Sequence, residues 1–206
     1  MNIIALLLFI LMSIINMIAC NKKINILIAL SKITLAPLAY INVIINTNFS
    51  TKILFLISLC YAFYLIGDIL LLSEKTNYFV SGLISFLLGH LSFIIIFFNF
   101  KENILIFFVF LILLIYPEIL MFKITKNGKN LKKPMQVYSI LLALFIALSA
   151  TTLNPFFIIG TSLFTLSDSF IARNVCYREK RFSSTAVMST YTLALILLSL
   201  GLVYLY

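Results

Sequence analysis

Charged side chains are scarce in this sequence of 206 residues. Lysine, arginine, aspartate and glutamate together make up 10% of it, whereas hydrophobic residues make up 63%. Soluble domains carry roughly 25% charged and about 45–50% apolar residues. The chain has too few polar side chains to cover a surface that faces water, so an ordinary soluble domain is excluded.

Cysteine and histidine are also few. Cys20, Cys60 and Cys176 lie far apart and form no C-x-x-C pair, so neither a metal site nor a redox motif is indicated. His90 is the single histidine, and one histidine cannot supply the usual His-rich ligand set of a zinc hydrolase. We therefore expect no metal and no cofactor.

Long hydrophobic runs fill the chain instead. A helix needs about 20 mostly apolar residues to cross a bilayer, and backbone groups in lipid are satisfied within such a helix. Eight candidate spans cover roughly residues 3–20, 24–45, 53–72, 78–98, 103–122, 135–153, 155–172 and 185–206. The predicted fold class is all-α, a polytopic transmembrane bundle of about eight helices in a single integral membrane domain over residues 1–206. Only residues 151–155 separate spans six and seven, which leaves open one broken or re-entrant element there.

The basic residues mark one side of the predicted bundle. Fifteen lysines and arginines against six acids give a formal net charge of +9, which on a soluble protein would suggest nucleic acid. Alternate loops form two sides, of which one holds Lys22, Lys23, Lys75, Lys123, Lys126, Lys129, Lys132, Lys133, Arg173, Arg178, Lys180 and Arg181. The other side holds Lys52 and Lys101. The positive-inside rule makes the first side cytoplasmic, and an even number of spans puts both termini outside. We expect no nucleic-acid partner.

A few polar side chains lie within the spans, where ionisable groups are costly and usually functional. At 1.5 Å per residue, five of them from five spans share a slab about 12 Å thick: Lys32, Asp68, His90, Asp168 and Tyr191. This predicts a common polar cavity open toward the cytoplasm. A structural salt bridge between Lys32 and one aspartate is the alternative. Glu118, near the cytoplasmic end of span five, is interpreted as an interfacial group.

Helical spacing supports this cavity and hints at a duplication. Tyr61, Tyr64 and Asp68 follow i, i+3, i+7, a stripe that leads toward the carboxylate. Asp68 and Asp168 close spans three and seven, and each is followed at a similar distance by a polar residue in the next span. This indicates a possible four-plus-four internal repeat, parallel because four is even.

At these residues the chain resembles the YhhN family of eight-span membrane proteins, which includes lysoplasmalogenases. The fragments that carry the resemblance, in span order, are Gly67-Asp68, Gly89-His90-Leu91, Tyr138, Ser167-Asp168-Ser169 and Tyr191. They cover nearly the whole chain. The family pattern has a proline after the lysine of span two, where this sequence has Ile33. The sequence also departs from the pattern at Thr192 and Leu195 in span eight. These departures concern substrate detail more than the Asp/His/Asp set.

The resemblance implies an ether hydrolase that cleaves the vinyl ether bond of lysoplasmalogens to a fatty aldehyde and glycerophospho-ethanolamine or -choline. Protonation of the β-carbon generates an oxocarbenium-like ion, water adds, and the hemiacetal collapses. The reaction needs a carboxylic acid that stays protonated in a low-dielectric site, and a second, ionised carboxylate, as in glycosidases. Asp68 and Asp168 fit this pair, and the sequence does not say which is the acid.

The other candidates are placed around this pair. His90, the third catalytic candidate, would orient a carboxylate or relay a proton, and Lys32 would hold one aspartate ionised or contact the substrate phosphate. The residues expected to bind substrate are Lys32, Tyr64, Tyr138, Ser167, Ser169 and Tyr191. Basic loops suit a phosphate headgroup. The expected partners are the lysophospholipid substrate and the bilayer.

Other functions stay open. Intramembrane Asp, His and Lys also build proton relays, so the main alternative is a small proton-coupled transporter or a lipid-binding protein that uses the same cluster. A retinal-type receptor with Lys32 as Schiff base, a metal held by Asp68, Asp168 and His90, and a structural scaffold are less favoured. The Ile/Asn/Lys-rich composition is typical of an AT-rich bacterial genome, so we expect a bacterial cytoplasmic membrane.

Overall fold

The computed structural model describes residues 3–73, 75–179 and 181–205. Over these ranges the chain is helical and contains no strand. The helices are α1 (Ile3–Lys22), α2 (Asn25–Asn46), α3 (Thr51–Leu70), α4 (Thr76–Phe100), α5 (Leu105–Thr125), α6 (Lys132–Ala150), α7 (Pro155–Tyr177) and α8 (Ser184–Val203). The all-α prediction is therefore confirmed.

Within the described ranges, seven continuous helical stretches are long and apolar enough to cross a membrane. One of them, Leu105–Ala150, has 46 residues, which at 1.5 Å per residue is more than twice the roughly 30 Å hydrocarbon core. Within it, the 3₁₀ segment Lys126–Leu131 leaves helical geometry at Lys129, with φ 48° and ψ −116°. Because α5 and α6 pack against each other on either side of this segment, the stretch is a hairpin of two spans. The seven stretches thus correspond to the eight predicted spans.

Most helix ends lie close to the predicted span ends. The largest difference is at α7, which continues to Tyr177, so that Arg173, assigned to a loop from the sequence, lies within the helix. The break between spans six and seven separates two complete helices. Asn154 caps α7 by accepting the Phe156 N–H at 3.0 Å, and Pro155 occupies the first helical position. A single broken element at this point is therefore wrong.

Two assignments made from the sequence lie outside the described residues. They are the loop position of Lys180 and the end of the eighth span at Tyr206. The single domain over residues 1–206 stays a prediction. In the described part, one hydrophobic cluster joins residues from Phe9 in α1 to Leu202 in α8.

The two halves of the bundle pack in matching ways. Helix α3 packs on α2 and α4, as α7 packs on α6 and α8. The halves then meet through α8 on α2 and through α4 on α6. At one end, the backbone N–H groups of Glu102 and Asn103 donate to the Thr151 carbonyl, which ties the α4–α5 link to the α6–α7 link. This pattern favours the four-plus-four arrangement and puts the polar faces of both halves at their common interface.

Helix α5 lies at the edge of the bundle. Among its residues Thr125 alone is buried, and the side chains of Ile112 and Leu113 are 68% and 62% exposed. Lipid tails are as apolar as leucine, so such a surface is stable when it faces a bilayer. The exposed apolar surface of α5 is that of a peripheral membrane-spanning helix.

Candidate functional site

Asp68, near the end of α3, lies in a cluster contributed by three helices. The Tyr191 hydroxyl of α8 donates to Asp68 Oδ2 at 2.5 Å, and Lys32 Nζ of α2 lies 3.5 Å from Oδ1. The Asp68 side chain is 1% exposed, and its Oδ1 has no hydrogen-bond donor among the described residues. A buried carboxylate is stable only when it is paired, and Lys32 is that partner.

Asp168 of α7 lies in a second cluster. The Tyr138 hydroxyl of α6 donates to Asp168 Oδ2 at 2.5 Å and lies 3.4 Å from His90 Nε2. On the other side of the imidazole, the Tyr64 hydroxyl is 2.8 Å from His90 Nδ1. A continuous polar chain therefore runs from Asp168 through Tyr138 and His90 to Tyr64, across α7, α6, α4 and α3.

Aromatic rings fill the space between the two clusters. The Phe164 ring has its centroid 4.6 Å from that of His90 and 5.4 Å from that of Tyr191, so it touches both clusters. Phe145 stacks on the His90 ring, with centroids 4.5 Å apart. The two clusters therefore lie on either side of shared aromatic side chains, of which Phe164 contacts both.

Asp168 and Tyr138 also line a cleft, which we call the Asp168 cleft. Its empty space is about 410 Å³, and the other walls are mostly apolar, among them Leu71, Phe79, Leu83, Phe86, Met121 and Leu142. Leu71 directly follows α3, Phe79 lies in the first turn of α4 and Met121 near the end of α5, so the cleft lies toward the end of the bundle with the basic loops. Asp168 is partly exposed, in contrast to Asp68.

Asp68 does not line this cleft. The Phe86 ring lies on the cleft wall and packs against the backbone of α3 at Gly67, where an added Cβ would stand 2.7 Å from the ring. Gly67 directly precedes Asp68, so the Phe86 ring contacts α3 one residue before the residue that carries this carboxylate.

The structure brings seven of the nine candidate residues into these two clusters and leaves two outside. Ser167 donates to the Val187 carbonyl at 3.0 Å and fastens α7 to α8, with a side chain that is 1% exposed. Ser169 donates to the Thr165 carbonyl within its own helix at 2.7 Å. Both flank Asp168 in sequence, but successive helical residues point about 100° apart. The catalytic and binding roles of all nine residues stay predictions.

Sequence reasoning missed the polar contact of Glu118 near the cleft. Glu118, interpreted as an interfacial group, accepts a hydrogen bond from the Ser139 hydroxyl at 2.5 Å between α5 and α6. Ser139 directly follows Tyr138, yet nothing in the sequence singles it out, because the contact depends on how α5 packs. Among the described residues, no group of three or more His, Cys, Asp or Glu side chains is arranged to hold a metal ion.

These features define an integral multi-pass membrane protein that carries paired carboxylate clusters inside its helical bundle. The model of the YhhN family matches residues 3–202, nearly the whole chain, and the chain belongs to that family. Comparison with curated proteins and with solved structures gives no match.

Proposed function

We propose that the protein is a lysoplasmalogenase, which hydrolyses the vinyl ether bond of a lysoplasmalogen to a fatty aldehyde and glycerophospho-ethanolamine or -choline. Membership of the YhhN family supports this proposal. The observation that carries it is the pair of aspartates with different surroundings, of which Asp168 lines an apolar cleft and Asp68 lies beside a lysine. An acid-catalysed ether cleavage needs two such carboxyl groups.

Asp168 is the proposed general acid. Its Oδ2 accepts from Tyr138, which leaves Oδ1 to carry the proton toward the cleft. The Asp168 O–H bond breaks as the proton joins the β-carbon of the vinyl ether. The double-bond electrons form the new C–H bond, and the α-carbon becomes an oxocarbenium ion stabilised by the ether oxygen. The apolar walls hold the alkenyl chain and exclude bulk water, which strengthens electrostatic interactions at this point.

Asp68 is the proposed second carboxylate. Lys32 Nζ, 3.5 Å away, stabilises its ionised form by Coulomb attraction. Asp68 does not line the cleft, so this role requires the side chains between them to move. Asp68 would then stabilise the cation and accept a proton from the water that adds to the α-carbon. The resulting hemiacetal gives its O–H proton to the ionised Asp168, its C–O bond to glycerol breaks, and the glycerol oxygen takes the proton that Asp68 holds. One water is consumed, and both carboxyl groups return to their starting states.

His90 acts through Tyr138 in this proposal. It touches no carboxylate directly, because the Tyr138 hydroxyl lies between His90 Nε2 and Asp168. His90 is therefore a positioning residue that holds Tyr138 on the acid, and Tyr64 fixes the imidazole from the other side. This differs from direct contact with a carboxylate, one of the two roles considered from the sequence.

The proposed location is the bacterial cytoplasmic membrane, with the basic loops in the cytoplasm. The Asp168 cleft lies toward these loops, so a lysolipid would place its phosphate near lysines and its chain among apolar walls.

Asn substitutions at the two aspartates test the proposal. Asp168→Asn and Asp68→Asn keep the side-chain shape but cannot donate or accept the proton, so each should lower kcat for aldehyde release by about 10²–10⁴-fold. The measurement is aldehyde release from an ethanolamine lysoplasmalogen by purified protein. Glu102→Gln, a change at an exposed acid in a loop, is the matched control and should keep wild-type activity. Full activity of either Asn variant would remove that aspartate from the reaction.

A proton-coupled transporter is the second candidate. The polar chain from Asp168 through Tyr138 and His90 to Tyr64 favours it, because such chains also conduct protons. Proton-coupled lipid flux in liposomes without aldehyde release would support this function. Aldehyde release that stops in the Asp168→Asn variant would support the hydrolase.

A further inference from the structure

A second groove adjoins the Asp168 cleft, and we call it the Leu114 groove. It lies between α5, α6 and α7 and has about 360 Å³ of empty space. The groove and the cleft share three lining residues, Met121, Ser139 and Leu142, so they are neighbouring parts of one depression. The proposed reaction takes place in the cleft and gives the groove no role.

The Leu114 groove lies farther from the basic loops than the cleft does. On α6 the cleft is lined by residues between 135 and 142 and the groove by residues between 139 and 146, so the groove lies about 6 Å deeper at 1.5 Å per residue. Helices α5 and α7 run toward the basic loops, and on each the groove begins before the first cleft residue, at Leu114 and at Thr165. Asp168 therefore lies at the inner end of the cleft, where the groove begins.

The deep part of the Leu114 groove is mostly apolar. Glu118 and Ser139, which bond to each other at 2.5 Å, lie on the side nearer to the basic loops. Deeper in the groove the lining residues are Leu114, Ala143, Ile146 and Thr165. The hydroxyls of Thr165 and Ser169 donate to carbonyls of their own helix at 2.9 Å and 2.7 Å. An apolar chain can lie against this wall without leaving a hydroxyl proton unpaired.

We propose that the Leu114 groove binds the distal part of the alkenyl chain, and that Leu114 at its inner end limits the length of chain that the groove accepts. This inference rests on the proposed lysoplasmalogenase function. When the vinyl ether lies at Asp168 and the phosphate lies near the basic loops, the chain has to continue away from those loops. The groove is the part of the depression that lies in this direction. Each methylene group buried there strengthens binding by about fourfold.

Tryptophan at Leu114 tests the chain site with two substrates. Leu114→Trp fills the inner end of the groove, so KM for a hexadecenyl lysoplasmalogen should rise about tenfold, because roughly two methylene groups lose their contacts. A butenyl lysoplasmalogen has too short a chain to reach this end, so its KM should stay at the wild-type value. For both lipids kcat should be unchanged, because ground state and transition state lose the same contacts.

Leu113→Trp is the matched control. Leu113 directly precedes Leu114, but it lies outside the groove lining and its side chain is 62% exposed, so this variant should keep both KM values. Ala143→Leu narrows the groove from α6 and should show the preference of Leu114→Trp in weaker form. An equal rise in KM for the two lipids, no rise for either, or the same rise in Leu113→Trp would overturn the proposal.

A binding measurement separates this inference from the proposed function. The saturated-ether forms of both lipids are not vinyl ethers, so they report binding alone. The hexadecyl form should raise the melting temperature of the wild-type protein in detergent more than the butyl form. Leu114→Trp should reduce this difference, and Leu113→Trp should keep it. If this result occurs without any aldehyde release, the chain site stands and the hydrolase proposal fails. If the wild type releases aldehyde but Leu114→Trp keeps the full difference, the chain site fails alone.

Discussion

At the scale of single residues, the two aspartates differ in their nearest partners. Asp68 has a cation and a tyrosine as its nearest partners, and it does not line the cleft. Asp168 has the Tyr138 hydroxyl and an opening into an apolar cleft. Two carboxyl groups in different surroundings take different roles in acid–base catalysis, as in the paired carboxylates of other enzymes. This difference is our reason for assigning the acid to Asp168.

Replacement of Tyr138 by phenylalanine tests the link between His90 and the acid. Tyr138→Phe keeps the ring but removes the hydroxyl that bonds Asp168 Oδ2. A hydrogen bond to an ionisable group contributes about 1.5–3 kcal/mol, so kcat should fall by roughly tenfold to a hundredfold while KM changes little. The measurement is steady-state aldehyde release.

Tyr40→Phe is the matched control for that variant. It removes a hydroxyl that pairs with Ser58 Oγ at 2.6 Å, at the contact between α2 and α3 away from the cleft. It should leave kcat unchanged. Unaltered kcat in Tyr138→Phe, measured with folded protein, would contradict the positioning role.

Depth along a helix was predictable from the sequence, whereas rotation about the helix axis was not. Lys32, Asp68 and Tyr191 were placed in one layer by counting residues, and they meet in the structure. Ser167 lies in the same layer but faces α8, where it bonds Val187. A sequence predicts the rotation of a helix about its axis only when one face is clearly polar. Because both neighbours of Asp168 are serines, no single polar face stands out there.

At the scale of elements, α3 and α4 approach each other closely because glycines face aromatic rings. An added Cβ at Gly89 would stand 2.6 Å from the Tyr64 ring, and Gly67 has a similar contact with Phe86. Gly89 directly precedes His90, so the close approach also sets the distance between His90 and the Tyr64 hydroxyl. Small residues at helix contacts permit this in membranes.

Alanine at Gly89 should disturb both stability and activity. The methyl group would push the Tyr64 ring away from His90, and overpacking of this kind costs about 1–3 kcal/mol. We expect a lower melting temperature in detergent and a reduced kcat. Gly82→Ala is the control, because its nearest neighbour is the mobile end of Leu71 at 3.0 Å. Equal melting temperatures for Gly89→Ala and wild type would show that α3 and α4 can separate freely.

The sequence predicted the helices well because long apolar runs have few other solutions in lipid. The sequence could not decide whether spans six and seven are two helices or one broken element, since both are apolar up to the link between them. The decisive features there are local: Asn154 caps α7, and Pro155 begins it. The extension of α7 past the predicted end was also hidden, because Arg173 looks like a loop residue when only charge is considered.

At the scale of the whole molecule, the site forms where the two halves of the chain meet. Asp68 of the first half receives its hydrogen bond from Tyr191 of the second, and His90 of the first half lies beside Tyr138 of the second. Neither half contains a complete cluster. Binding sites at the interface of repeats are a recurring solution in membrane proteins. The depth of each residue predicts that residues so distant in sequence lie in one layer, but it does not predict which of them bond to each other.

The partner of Glu118 could not be predicted from depth alone either. Its depth made it an interfacial group, yet its contact with Ser139 depends on the packing of α5, a helix with no polar face. The excess of basic residues has a simpler origin. It belongs to the links between α1 and α2, α3 and α4, α5 and α6, and α7 and α8, together with the adjoining helix ends, toward which the Asp168 cleft lies.

Incubation of the purified protein with an ethanolamine lysoplasmalogen and, in parallel, with its saturated-ether analogue tests the central claim most directly. Only the vinyl ether has a double bond that can accept a proton from Asp168, so aldehyde should be released from the first lipid and not from the second. Aldehyde release from both lipids, or from neither when the protein is folded, would contradict vinyl ether hydrolysis by this bundle.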